Sequence, residues 1–123
     1  MSDRGDFVIS ALEAKHRTAV EYETESGISP YAEYLNGLKD RRGAAKITRA
    51  VKKMEEGNFG DHKSIADGDG LYECRLTTGP GYRIYYIVDG DTLIVLFGAS
   101  DKKGQQKAID RARDYAADYR KRK

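Results

Sequence analysis

Tryptophan is absent from these 123 residues, cysteine occurs once, and proline twice. The lone Cys74 excludes an intramolecular disulfide. The sequence has no CxxC pair or Cys/His cluster, so it offers no ligand set for a structural zinc site. Both absences fit a reducing, cytoplasmic setting. Long apolar runs are missing too. The longest, Leu93 to Phe97, has the length of a strand, so no membrane span is expected. The N-terminus is polar, and the apolar stretch Phe7 to Leu12 is too short and broken for a signal peptide. A surplus of one charge is also lacking. Twenty-two Lys and Arg face twenty Asp and Glu, for a formal net charge of +2. Bulk charge is therefore a weak argument for a nucleic-acid partner, and placement has to decide. Lys39 to Lys53 and the tail Arg120-Lys121-Arg122-Lys123 are the basic stretches, each readable as a solvated helix face or as a polyanion contact.

What is present reads as one domain, large enough to bury a core without staples. Residues 1–18 read as an N-terminal extension, and residues 19–123 as the folded domain. Thr18 to Thr24 alternates with β-branched and aromatic residues and predicts an edge strand. Ser29 followed by Pro30 predicts a capped helix start. Ala44, Ile47, Val51 and Met54 give a second helix, over about Asp40 to Glu56, its apolar stripe, and Gly57 its stop. Asn58 to Asp69 reads as a polar, glycine-punctuated loop. Leu71–Thr77, Tyr82–Val88 and Thr92–Phe97 read as three strands joined by Gly79-Pro80-Gly81 and Asp89-Gly90-Asp91. A last helix is expected from about Lys103 to Tyr119. The order predicts an α+β domain: an N-terminal strand and a helical hairpin packed on one face of an antiparallel β-meander, with a C-terminal helix.

Strand periodicity places Arg75 and Arg83 on one face of neighbouring strands, with Tyr85 beside Arg83. The more apolar face is assigned to the helices, which leaves the arginines on the wetter one. Paired guanidiniums on a rigid sheet suit a phosphate, through bidentate and permanently charged contacts. Cross-strand salt bridges explain the same pattern. Asp101 either orients Lys102 or caps the last helix. The helical spacing of Tyr31, Tyr34, Tyr115 and Tyr119 reads either as core edge or as a partner groove.

The runs Leu71-Tyr72-Glu73-Cys74-Arg75-Leu76, Gly79-Pro80-Gly81-Tyr82-Arg83-Ile84-Tyr85-Tyr86, Gly90 to Gly98 and Ser100-Asp101-Lys102 resemble the RelE/ParE superfamily of toxins. Within it they are most similar to the HigB-like, phage-derived addiction module branch. Gln105, Gln106 and Ile109-Asp110-Arg111-Ala112 continue the likeness, which covers about Val20 to Tyr119. The resemblance implies a RelE-like fold and a cytoplasmic type II toxin. Such a toxin is a ribosome-dependent mRNA endonuclease, or else a ParE-like gyrase inhibitor or an inactive antitoxin-binding or RNA-binding relative. It implies an antitoxin partner, often a helix-turn-helix protein, with ribosome and mRNA as targets. No cofactor, metal or membrane is implied.

Carried over residue by residue, Arg83 matches a phosphate-binding, catalytic arginine, and Arg75 a basic strand position. Lys102 matches the lysine of the terminal Asp-Lys motif, and Lys63 a basic loop position. Lys103, Tyr85 and His62 are the accompanying RNA-binding candidates. Tyr85 is expected to stack a base, and His62 to rival Lys63 or Lys102 as proton carrier. The sequence departs from the pattern at Glu73, where RelE is basic, and at Ala99-Ser100, where a second glycine is usual. No tyrosine or histidine opens the last helix.

Overall fold

Ser29 starts the first helix as its sequence dictates. Its side chain accepts a hydrogen bond from the Ala32 amide, and Pro30 takes the first helical position of α1, Pro30–Gly37. Asp40 caps α2, Arg41–Glu55, by accepting from the Gly43 amide. Gly57, at φ +94°, ends α2. Its amide reaches the Met54 carbonyl and the Asn58 amide reaches the Lys53 carbonyl, the paired bonds of a Schellman stop. The computed structural model describes residues 16–77 and 79–123. The proposed N-terminal extension falls outside these as far as residue 15. Thr18 already opens β1.

The strands are β1 (Thr18–Glu21), β2 (Asp61–Ser64), β3 (Tyr72–Arg75), β4 (Arg83–Asp89) and β5 (Leu93–Ser100), followed by α3, Gln105–Arg122. They form one sheet in the order β1-β5-β4-β3-β2. β3, β4 and β5 are the expected meander, and β1 lies parallel to β5 at one edge. β2 corrects the sequence reading, which left Asn58 to Asp69 as loop. Its four residues, Asp-His-Lys-Ser, are all exposed, so no apolar alternation announces them. Only backbone pairing with β3 makes this a strand, on the open edge of the sheet.

The helices do not share one face, which is a second correction. α1 and α2 cover one side, where Tyr31, Ile47, Val51 and Met54 meet Cys74, Ile84, Tyr86, Ile94 and Leu96. α3 covers the other, where Ala112 and Ala116 sit close against Leu71, Tyr85, Ile87, Val95 and Phe97. Tyr82–Val88 and Leu93–Phe97 are nearly unbroken apolar runs, and strands of that kind are buried on both faces. Each fully buried large side chain there contributes about 1.5–3 kcal/mol of transfer energy. A bulge at β5 sets Tyr85 opposite Gly98 but Tyr86 opposite Leu96. The extra residue re-aims the end of β5 and brings Ser100 into register with Arg83.

Candidate nucleic-acid interface

Register builds the site. Asp61 pairs with Arg75, Arg75 with Arg83, and Arg83 with Ser100, so one row crosses β2, β3, β4 and β5 on a single face. Arg75 and Arg83 are therefore direct cross-strand partners, as expected. The face is not an open one, however, because α3 lies over most of it. The row escapes because it stands beyond the first residue of α3: Gln105 hydrogen-bonds to Glu73, one row further in. Past that point a cleft of about 450 Å³ opens, lined by Asp61, Arg75, Thr77, Gly81, Arg83 and Lys102 among others.

Both arginines have carboxylates beside them. Arg75, with its side chain 35% exposed, donates to Asp61 at 3.3 Å. Arg83 is only 8% exposed. Its Nη1 donates to the Gly81 carbonyl at 2.7 Å, and its Nε lies 3.8 Å from Glu73 Oε2. Glu73 is 1% exposed and takes hydrogen bonds from Gln105 Nε2 on both oxygens, at 3.0 and 3.2 Å. A buried carboxylate so held balances the Arg83 charge and fixes the approach of the guanidinium. Lys102 is exposed at the cleft wall, and its amide donates to Pro80 O, which ties the Gly79-Pro80-Gly81 turn to the Asp-Lys motif. Asp101 accepts from the Gly104 amide at 2.8 Å, shaping the turn into α3.

A second cleft, about 410 Å³, adjoins the first through Asp61, Arg75, Leu76 and Thr77. Lys46, Arg49 and Lys53, one helical face of α2, line it. The basic stretch of α2 thus continues the arginine row. The C-terminal basic tail does not line either cleft, and three of its four charges are engaged elsewhere. Arg120 bonds the Asp69 carbonyl. Arg122 pairs with Asp118 at 2.6 Å, and Lys123 with Asp89 at 2.6 Å.

Four expected contributors lie outside the cleft lining. Tyr85 is fully buried under α3, with its hydroxyl on Ser100 Oγ at 2.8 Å, and burial pushes its pKa up to about 12. It is a core residue and no platform for a base. His62 shares its face with Cys74, on the α1–α2 side, where its ring meets Phe59 and Tyr72 edge-on. A one-residue step along a strand turns a side chain to the opposite face, which is why His62 is lost to the site and Asp61 joins it. Lys63 is on the site's face but one row away, opposite Glu73, outside the cleft lining. Lys103 is exposed in the turn before α3. Of the tyrosines in helices, Tyr31 and Tyr34 pack with the α1–α2 core and Tyr115 and Tyr119 with the α3 core.

The tail's clamps predict a pH dependence. Tyr22 and Arg122 on Asp118, and Lys123 and Tyr119 on Asp89, hold both carboxylates below the ordinary value of 3.8. A lowered folded-state value means the clamps contribute fully above the ordinary value, and that contribution is lost as pH falls through the folded one. Below about pH 4 the last two turns of α3 should exchange amide hydrogens faster while the first turns stay protected. Uniform exchange along the helix at acid pH would contradict this.

Among the described residues no group of three or more His, Cys, Asp or Glu side chains is placed to hold a metal ion, and no helix is long and apolar enough to cross a membrane. A model of the phage-derived Gp49-like proteins matches residues 33–121. A relative in Haemophilus influenzae, of uncharacterized function, is 40% identical over 80 residues, which cover 65% of this chain and 79% of that protein.

Proposed function

The chain belongs to the phage-derived Gp49-like protein family, which stands in the RelE/HigB-type toxin–antitoxin context, and from that premise we propose that it is a toxin that cuts mRNA on the ribosome. The observation that carries the reading is the direct cross-strand pairing of Arg75 with Arg83, in one cleft with Lys102. RNA cleaved through its own 2′-hydroxyl needs charge stabilisation at the phosphate, a proton acceptor and a donor to the leaving 5′-oxygen. Arg83 and Arg75 grip the phosphate. Lys102, the exposed ammonium in the cleft, protonates the leaving oxygen. Lys46, Arg49 and Lys53 extend a cationic track for the flanking backbone, whose contacts weaken with salt. A cognate antitoxin, of helix-turn-helix type, covers this surface when the toxin is silent.

The carboxylates beside both arginines favour a second reading, a binding toxin of the ParE type that spends these cations on a protein or gyrase surface. Purified protein added to a translation reaction separates the two. Discrete mRNA cuts ending in 2′,3′-cyclic phosphate are expected. Uncut mRNA together with blocked DNA supercoiling would replace the first reading with the second.

A further inference from the structure

We propose that Asp61 is the catalytic proton acceptor for the attacking 2′-hydroxyl, an assignment that rests on the RNA-cutting reading of the cleft. Among the described residues, Asp61 is the one acidic residue lining the space that holds Arg75, Arg83 and Lys102. The other nearby carboxylates are engaged elsewhere. Both Glu73 oxygens are taken by Gln105 beneath the row, and Asp101 Oδ1 holds the Gly104 amide. The lysines are the wrong groups for the task. Lys63 is outside the cleft, and Lys102 is needed as the proton donor at the leaving oxygen.

Placement fits the chemistry. Neighbouring strands lie about 4.8 Å apart, so the Asp61 and Arg83 backbones are about 10 Å apart with Arg75 between them. That span seats a phosphodiester with its 2′-oxygen toward β2 and its 5′-oxygen toward β5, where Lys102 follows Ser100. Arg75 holds Asp61 Oδ1 at 3.3 Å and so orients the carboxylate. With its side chain 48% exposed, Asp61 can reach a substrate and exchange its proton with water. In the reaction the Asp61 carboxylate takes the 2′-hydroxyl proton and the 2′-oxygen forms a bond to phosphorus. The bond from phosphorus to the 5′-oxygen breaks, and that oxygen takes its proton from Lys102. The products are a 2′,3′-cyclic phosphate and a 5′-hydroxyl end. Solvent then returns a proton to Lys102 and removes one from Asp61.

The test is single-turnover cleavage of mRNA on purified, programmed ribosomes, over a range of pH, by the wild type, Asp61→Asn and Asp61→Glu. Asp61→Asn keeps the shape of an exposed edge residue, and circular dichroism checks that it folds. It should cut about a hundredfold more slowly or worse. Its affinity for the ribosome should stay within about twofold of wild type, and it should lose the acid limb of the pH–rate profile. Asp61→Glu should recover part of the rate and the limb. Cleavage by Asp61→Asn at the wild-type rate overturns the assignment. A slower Asp61→Asn that keeps the acid limb also overturns it, since Asp61 then only positions Arg75. A wild type that makes no cut at all overturns the RNA-cutting reading itself, a result distinct from either.

Discussion

Arg83→Ala is expected to slow mRNA cleavage by about 10²–10³-fold, the usual effect of removing one preorganised donor from a transition-state charge. The same substitution should also destabilise the protein. Arg83 neutralises Glu73, and a carboxylate that is 1% exposed loses its counter-charge when the guanidinium goes. Breaking a buried pair from one side costs about 3–5 kcal/mol. Gln105 donates to both Glu73 oxygens and softens that penalty without removing it. The two effects separate in the double variant Glu73→Gln with Arg83→Ala, which leaves no buried charge. Its melting temperature should rise well above that of Arg83→Ala, while its cleavage should stay as slow. If restoring stability also restores cleavage, Arg83 serves the fold and leaves the phosphate to other groups. Growth arrest on expression without antitoxin gives the same comparison in cells.

Gly43→Ala should lower stability by about 1–3 kcal/mol, although alanine is ordinarily the better helix former. Gly43 lies in the first turn of α2, where a Cβ would stand 2.8 Å from Tyr82 Cζ and 2.6 Å from Asp40 Oδ2. Neither neighbour gives way easily. Tyr82 is 3% exposed, its hydroxyl donates to Asp40 Oδ2 at 2.7 Å, and the same carboxylate caps the helix through Gly43 N. The methyl therefore presses at once on the cap and on the ring of the residue that precedes Arg83. A fall of roughly 4–12 °C in the melting midpoint is expected. Tyr82→Ala should absorb most of the clash, so the two substitutions should be far from additive. Additive losses would mean that the ring moves freely, and the tight approach at Gly43 would then have no energetic weight.

The sequence was most legible where local chemistry decides the outcome. Ser29 with Pro30, Asp40 ahead of an apolar stripe, and Gly57 behind it mark both helices of the hairpin to within a residue or so. The facing of Arg75 and Arg83 was legible because strand period fixes it. The cover over that face was not, because an apolar run in a strand records that both sides are buried without saying by which helix. β2 was illegible for a different reason: a solvated edge strand has no apolar pattern, and pairing alone defines it. Everything that depends on β2 was lost with it, including Asp61 as a neighbour of Arg75 and the exile of His62 to the other face. The Glu73–Gln105 contact joins residues from β3 and α3, and no spacing rule reaches that far along a chain. Glu73 was visible only as a departure from the family pattern.

β1 leaves the ribosome well before β5, its only sheet neighbour among the described residues, with Thr18 waiting for Leu93. At about 5–20 residues per second, that wait is roughly 4–15 s for each copy made. Lys102 and Gln105 emerge later still, so during synthesis neither the cleft nor the support beneath Arg83 exists. On the proposed mRNA-cutting reading, a nascent chain is therefore harmless to the machine translating it until those residues have emerged.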